Sequence, residues 1–273
     1  MKALLLSVAI AVTIAGCATT TSPTGRRQYV GAVSQAELNQ LGAEAFAELK
    51  QQEPLTNNAQ QRAYVTCVVG DLVQALPADW RQATGETGGW ETAVFQNADA
   101  NAFALPGGKV GVYTGIFDVA RNQDQLAAVI AHEIGHVVAH HHDERITRQA
   151  GASGVVQLVG ALLGSRFGSG VANAAVQGGS ILAQTGFLLP GSRAQESEAD
   201  VIGQQLMARA GFDPRAAVNL WQNMIAAGGS RPPEWISTHP DPEARISELR
   251  DRASGLVPVF EQAKASGRRP NCG

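Results

Sequence analysis

The segment His132-Glu133-Ile134-Gly135-His136 sets two imidazoles four positions apart with a carboxylate between them. On a helix, positions i and i+4 share a face, so both rings can reach one metal ion. Glu133 then sits beside the ion, where it can take a proton from a water that the metal has acidified. That pairing of a metal with a base is the chemistry of peptide-bond hydrolysis. The flanking residues are apolar and helical in pattern on both sides, unlike a solvated helix that carries two histidines by chance.

A third ligand has two candidates. His140, His141 and His142 follow the motif, and His142 has a spacing that works when a glycine at position 139 turns the chain back. The residue there is Ala139, and alanine is the best helix former. A continuous helix would put His142 about 15 Å along the axis from His132, too far for two bonds of about 2 Å. The triple histidine then reads as a polar helix end, suited to the dipole. The other candidate is Glu196, which shares a helix face with Asp200 at i+4. Glu196 suits the third ligand of a His₂Glu zinc site, and Asp200 can accept the free N–H of a ligating imidazole. Glu198 should point away into solvent.

His239 lies between Thr238 and Pro240, just ahead of a helix start at Asp241-Pro242, on a loop that can aim a side chain. We expect it to reach the cleft. There it either donates to the carbonyl oxygen as negative charge develops or takes the metal's fourth position at rest. Arg245, on the helix that follows, is expected to help hold the substrate backbone.

These groups need rigid elements to carry them. Ser34 with Glu37 reads as a capping box for a helix that Pro54 ends, and a second helix runs from about Asn58 to Leu76. Trp90 to Gln96 and Lys109 to Tyr113 have strand composition. Ala102 to Leu105 lies between them, and Pro106-Gly107 supplies a turn. Asn122 with Gln125 opens the metal helix, another helix spans Arg193 to Ala210 and stops at Gly211, and Asp213-Pro214 opens the next. The fold class is α+β: a mostly helical domain with a small, mostly antiparallel sheet beside the zinc helix. Residues 150–192, rich in Gly, Ala, Ser and Gln, read as a flap beside the site rather than a membrane hairpin.

The chain has 273 residues and a net charge of −3 with both signs interspersed, so nothing marks a nucleic-acid partner. Lys2 and the apolar run from Ala3 to Ala15 form a targeting segment too short to span a bilayer. The run ends in Ile14-Ala15-Gly16-Cys17, which resembles the lipobox of bacterial lipoproteins and implies acylation of Cys17. Residues 1–16 are therefore read as a signal peptide, 17–29 as a flexible lipidated tether, and 30–273 as a single domain. Cys67 and Cys272 remain, and an oxidising compartment would let them form a disulfide tying the tail to the helical lobe. Cys67 as a buried free thiol is the alternative.

The order of motifs closely resembles the gluzincin family of HtpX, BepA and LoiP, the forty-eighth metallopeptidase family. His-Glu-Ile-Gly-His is followed by Ser192-Arg193-x-x-Glu196-x-Glu198-Ala199-Asp200. Asn101-Ala102-Phe103-Ala104-Leu105-Pro106-Gly107-Gly108 precedes the zinc helix, and Ser237-Thr238-His239-Pro240 comes near the end. With the lipobox, the resemblance is to the lipoprotein branch rather than to membrane-embedded members. It implies one Zn²⁺ held by His132, His136 and Glu196, Glu133 as base, and Asp200 supporting a ligand. It also implies an edge strand at Asn101, Ala102, Phe103 and Ala104 that binds extended peptide. The activity implied is a membrane-anchored endopeptidase of the outer membrane, facing the periplasm, whose substrates are misfolded or unassembled envelope proteins. The alternatives are a chaperone-like lipoprotein with a normally closed zinc site and an intramembrane-type protease.

Overall fold

The computed structural model describes residues 18–149, 191–228, 234–239 and 241–273. The signal segment, Cys17 and nearly all of the expected flap lie outside the described residues.

The first described elements are an antiparallel pair, β1 (Ala18–Thr21) and β2 (Arg27–Val30), followed by α1 (Gln35–Gln52), α2 (Ala59–Gln74) and the short α3 (Ala78–Ala83). Ser34 and Glu37 form the expected capping box at the start of α1. Residues 18–29 thus differ from the tether read in the sequence. Their Ser, Thr, Pro and Gly content gives no apolar period, but the strands are pinned from outside. The Gly31 N–H donates to Asp143 and that of Ala32 to Thr147, while Arg26 pairs with Glu144.

The central sheet has strands β3 (Glu91–Phe95), β4 (Ala102–Leu105) and β5 (Lys109–Tyr113) in the order β3-β5-β4. β4 and β5 form an antiparallel hairpin through Pro106 to Gly108, and β3 lies parallel to β5. Alternation divides the sheet's side chains between two cores. Val94, Ala102, Ala104, Val110 and Val112 join the large core with the metal helix. Phe95, Phe103, Leu105 and Tyr113 join Leu38, Phe46 and Leu49 of α1.

The remaining helices are α4 (Gln123–Val138), α5 (helical residues 141–149), α6 (Arg193–Ala210), α7 (Ala216–Gly228), α8 (Glu234–Thr238) and α9 (Pro242–Ala265). Asn122 caps α4 by accepting from the Gln125 N–H. The Gln125 side chain turns back one residue further than a capping box requires, to the Arg121 N–H. α6 ends at Gly211 with φ 88°, as its position predicts. α7 starts later than Asp213-Pro214 predicts, because the Asp213 carboxylate binds Arg215 in a turn before the helix.

One expectation fails with consequences for the site. The metal helix does not run on through Ala139; it ends at Val138, and His140 is left-handed at φ 55°. The His140 N–H bonds back to the Val137 carbonyl, and its own carbonyl accepts from the Glu144 N–H to start α5. Packing has overridden the helix propensity of alanine at this point. Among the described residues, no helix is long and apolar enough to cross a membrane.

Candidate metal centre

α4 is buried along nearly its whole length and packs against α6. The approach is close because small residues face each other. A Cβ on Gly203 would lie 3.0 Å from the His132 backbone nitrogen, so α6 passes the metal helix with almost no side-chain spacer. This contact brings the carboxylates of α6 to the histidines of α4.

His132, His136, Glu196 and His239 each present one ligand-type atom, all within 4.8 Å of one another, and all four residues are buried. His132 Nε2 and His136 Nε2 are 3.1 Å apart. Glu196 reaches His132 Nε2 at 3.3 Å and His136 Nε2 at 3.6 Å. Buried polar atoms ordinarily find partners, yet Glu196 Oε1 is buried with no hydrogen bond. Two imidazole nitrogens turned toward each other beside an orphaned carboxylate oxygen fit a metal cation, which all three can ligate at once. His142 is not in this group. The break at His140 voids the axial-distance argument against it, yet its ring offers no atom to the cluster.

Each histidine is held from behind. His132 Nδ1 is 3.0 Å from Asp200 Oδ1, and Arg245 grips both oxygens of Asp200 from Nε and Nη2 at 2.7 Å each. Burial and the Arg245 charge oppose protonation of His132, but Asp200 and Glu196 outweigh them and raise it to about 9. Burial also works against the Asp200 carboxylate, which Arg245 and His132 nonetheless hold down at about 2. Burial keeps His136 well below its ordinary value, and the surrounding histidines hold Glu196 far below the carboxylate range against its own burial.

Behind His136 stands His141, with the two Nδ1 atoms 2.8 Å apart, and His141 Nε2 lies 3.1 Å from Glu198 Oε2. Glu198 is therefore buried, not solvated. It accepts from Ser22, Thr24 and Arg26 as well, and with His141 these offset its burial and bring it to about 2. Sequence reasoning missed both residues, because their meeting depends on the break at His140 and on the N-terminal strands.

Glu133 lies beside the cluster. Its Oε1 accepts from Trp235 Nε1–H at 2.9 Å and is 3.3 Å from His239 Nε2. His239 Nδ1 is 2.7 Å from Glu196 Oε2 and 3.2 Å from His132 Nε2. Arg245 is not placed to hold a substrate. It is buried, its guanidinium also bonds Glu196 Oε2 at 3.0 Å, and it stacks 4.5 Å over Trp221. It pairs with two buried carboxylates, Asp200 and Glu196, so the cation is consumed within the site.

β4 is an edge strand packed on α4. The Tyr113 N–H to Asn101 carbonyl bond sets the ladder's phase. Asn101, Phe103 and Leu105 point their backbone groups at β5, so Ala102 and Ala104 turn theirs to the free edge. The Asn101 side chain accepts from the Ala102 N–H at 2.9 Å. Elsewhere, Cys67 and Cys272 form a disulfide with an S–S distance of 2.14 Å, joining α2 to the C-terminal tail.

Comparison with known proteins gives the same direction. The pattern of peptidase family M48 matches residues 59–253. The mitochondrial metalloendopeptidase OMA1 of Schizosaccharomyces pombe is 42% identical over 164 residues, covering 59% of this chain and 46% of that protein. The beta-barrel assembly-enhancing protease of Escherichia coli K12 is 32% identical over 229 residues, 82% of this chain and 45% of that protein. The OMA1 of Arabidopsis thaliana is 38% identical over 175 residues, 64% of this chain and 33% of that protein. The chain spans less than half the length of each of these relatives.

Proposed function

Because the chain belongs to peptidase family M48, a family of zinc-dependent metallopeptidases, we propose that it is an endopeptidase whose zinc is held by His132, His136 and Glu196. The observation that carries this is the buried Glu196 Oε1, left without a partner beside two converging imidazoles. Zinc bound there supplies Lewis acidity, which polarises a scissile carbonyl and makes a water acidic enough to attack it. Glu133, oriented by the Trp235 N–H, receives the proton of that water and passes it to the leaving amine. Asp200 and Arg245 fix the ring of His132. Substrate chain adds to the free edge of β4, where the Ala102 carbonyl and the backbone of Ala104 can bond any sequence, the Ala102 N–H being held by Asn101. His239, lodged among the ligand atoms, would also hold the metal at rest.

The compartment is read from the lipobox. Cys17 anchors the protein to the bacterial outer membrane, facing the periplasm, and the substrates are misfolded or unassembled envelope proteins. The assembly protease of E. coli, whose name refers to β-barrels, supports this setting.

Glu133→Gln tests the reading. Purified with metal, it should lose casein cleavage while binding one zinc per chain. Substantial residual cleavage, or loss of zinc, would overturn the division between base and ligands.

A further inference from the structure

The two ligand histidines are braced differently. His132 meets a carboxylate directly, whereas His136 meets a second imidazole, and the carboxylate comes one step later. For His136 to offer Nε2 to a metal, its proton must sit on Nδ1. His141 Nδ1, 2.8 Å away, must then accept, which places the His141 proton on Nε2, and this N–H donates to Glu198 Oε2 at 3.1 Å. Only this one arrangement of protons satisfies every bond in the line.

The line ends on the N-terminal strands. Ser22 and Thr24 donate to one oxygen of Glu198, and Arg26 Nε donates to the other. All three belong to the connection between β1 and β2, and the distal Nη atoms of Arg26 grip both oxygens of Glu144 on α5 at 3.0 and 2.8 Å. Glu198 therefore takes its bonds from two sides, the hairpin and His141. His141 is fully buried, so its ring has no water to turn to if Glu198 moves.

We propose that the hairpin 18–30 is a positioning element of the zinc site, acting on His136 through Glu198 and His141. It works by keeping Glu198 in place to accept a hydrogen bond from the His141 Nε2–H, which leaves His141 Nδ1 free to hold His136 in the metal-binding tautomer. This rests on His136 being a ligand. Partners of ligating histidines typically contribute 10–100-fold to metal affinity, and here the outermost partner is the segment that follows Cys17.

The test measures zinc affinity of the full chain by chelator competition, with the visible spectrum of the cobalt form as a report on ligand geometry. His141→Leu should weaken zinc binding about 10–100-fold and alter the cobalt spectrum. His141→Gln, whose amide oxygen can still accept from His136, should stay close to wild type in both. Arg26→Met combined with Thr24→Val, changed only on the hairpin, should weaken zinc in the same direction with the fold retained by circular dichroism. Equal affinity of His141→Leu and wild type, or equal loss in the Leu and Gln variants, would overturn the relay. An unaffected hairpin variant would overturn the hairpin's part in it, and this variant decides the matter alone if His141→Leu does not fold. His136→Ala is the control: normal zinc binding there would remove the ligand assignment itself rather than the relay.

Discussion

Gly135 of the metal helix lies against Ala199 of α6, so near that a Cβ on Gly135 would stand 2.9 Å from the Ala199 carbonyl oxygen. The contact sits between Glu196 and Asp200 on one helix and His132 and His136 on the other, so it sets the distance across the site. Gly135→Ala forces the helices apart. It should cost about 1–3 kcal/mol of stability, the usual range for overpacking, and weaken zinc binding together with it. Thermal melts and chelator competition on the same preparation check both. A variant with wild-type melting and affinity would show that the helices have room to spare.

His239 bonds Glu196 and stands near both His132 and Glu133. A residue closing the site at rest makes His239→Ala the faster enzyme, with somewhat weaker zinc. Initial rates on a quenched fluorescent peptide read this out. A fall in kcat of about 10²–10³, the size expected for a lost donor to the oxyanion, would assign it that role instead.

Glu144 holds Arg26 on the hairpin side of the site. Burial alone would raise its carboxyl, but Arg26, Gln195 and Arg148 bring it below the ordinary 4.5. A folded value below the unfolded one means stability that is fully present above pH 4.5 and lost as pH falls through the folded value. The thermal midpoint should therefore drop on the acid side of pH 4.5, and Glu144→Gln should flatten that limb. A variant whose profile is as steep as wild type would place the acid sensitivity elsewhere.

The Cys67–Cys272 bridge joins residues 205 positions apart. Replacing both cysteines with serine should cost about 2–5 kcal/mol, read from denaturant unfolding. Thiol counting on unfolded, unreduced protein should find neither sulfur free; two free thiols would deny the bridge.

The helix of His132, Glu133 and His136 was legible in the sequence because its information is local: the three sit close together with apolar flanks. Glu196 and Asp200 could be paired for the same reason, being i and i+4 on one helix. The β4–β5 hairpin was legible from Pro106-Gly107. What could not be read is what depends on distant partners. Glu198 looks like an outward-facing charge until Ser22, Thr24 and Arg26 arrive from the far end of the chain. His141 looks like part of a polar helix end until His140 turns left-handed, a conformation that its residue type does not announce. Arg245 read as a substrate clamp because its position was legible and its partners, Asp200 and Glu196, were not.

The order in which the chain is made gives the spread of these side chains a further meaning. Synthesis runs from the N-terminus, so His132 and His136 emerge before Glu196, and His239 and Arg245 follow later. Until α9 docks, Asp200 and Glu196 lack the Arg245 guanidinium that bonds both of them, and the brace on His132 is incomplete. A half-made molecule therefore has a helix with two histidines but no finished cage. On the proposed reading, hydrolytic competence waits for α9 to dock on α6.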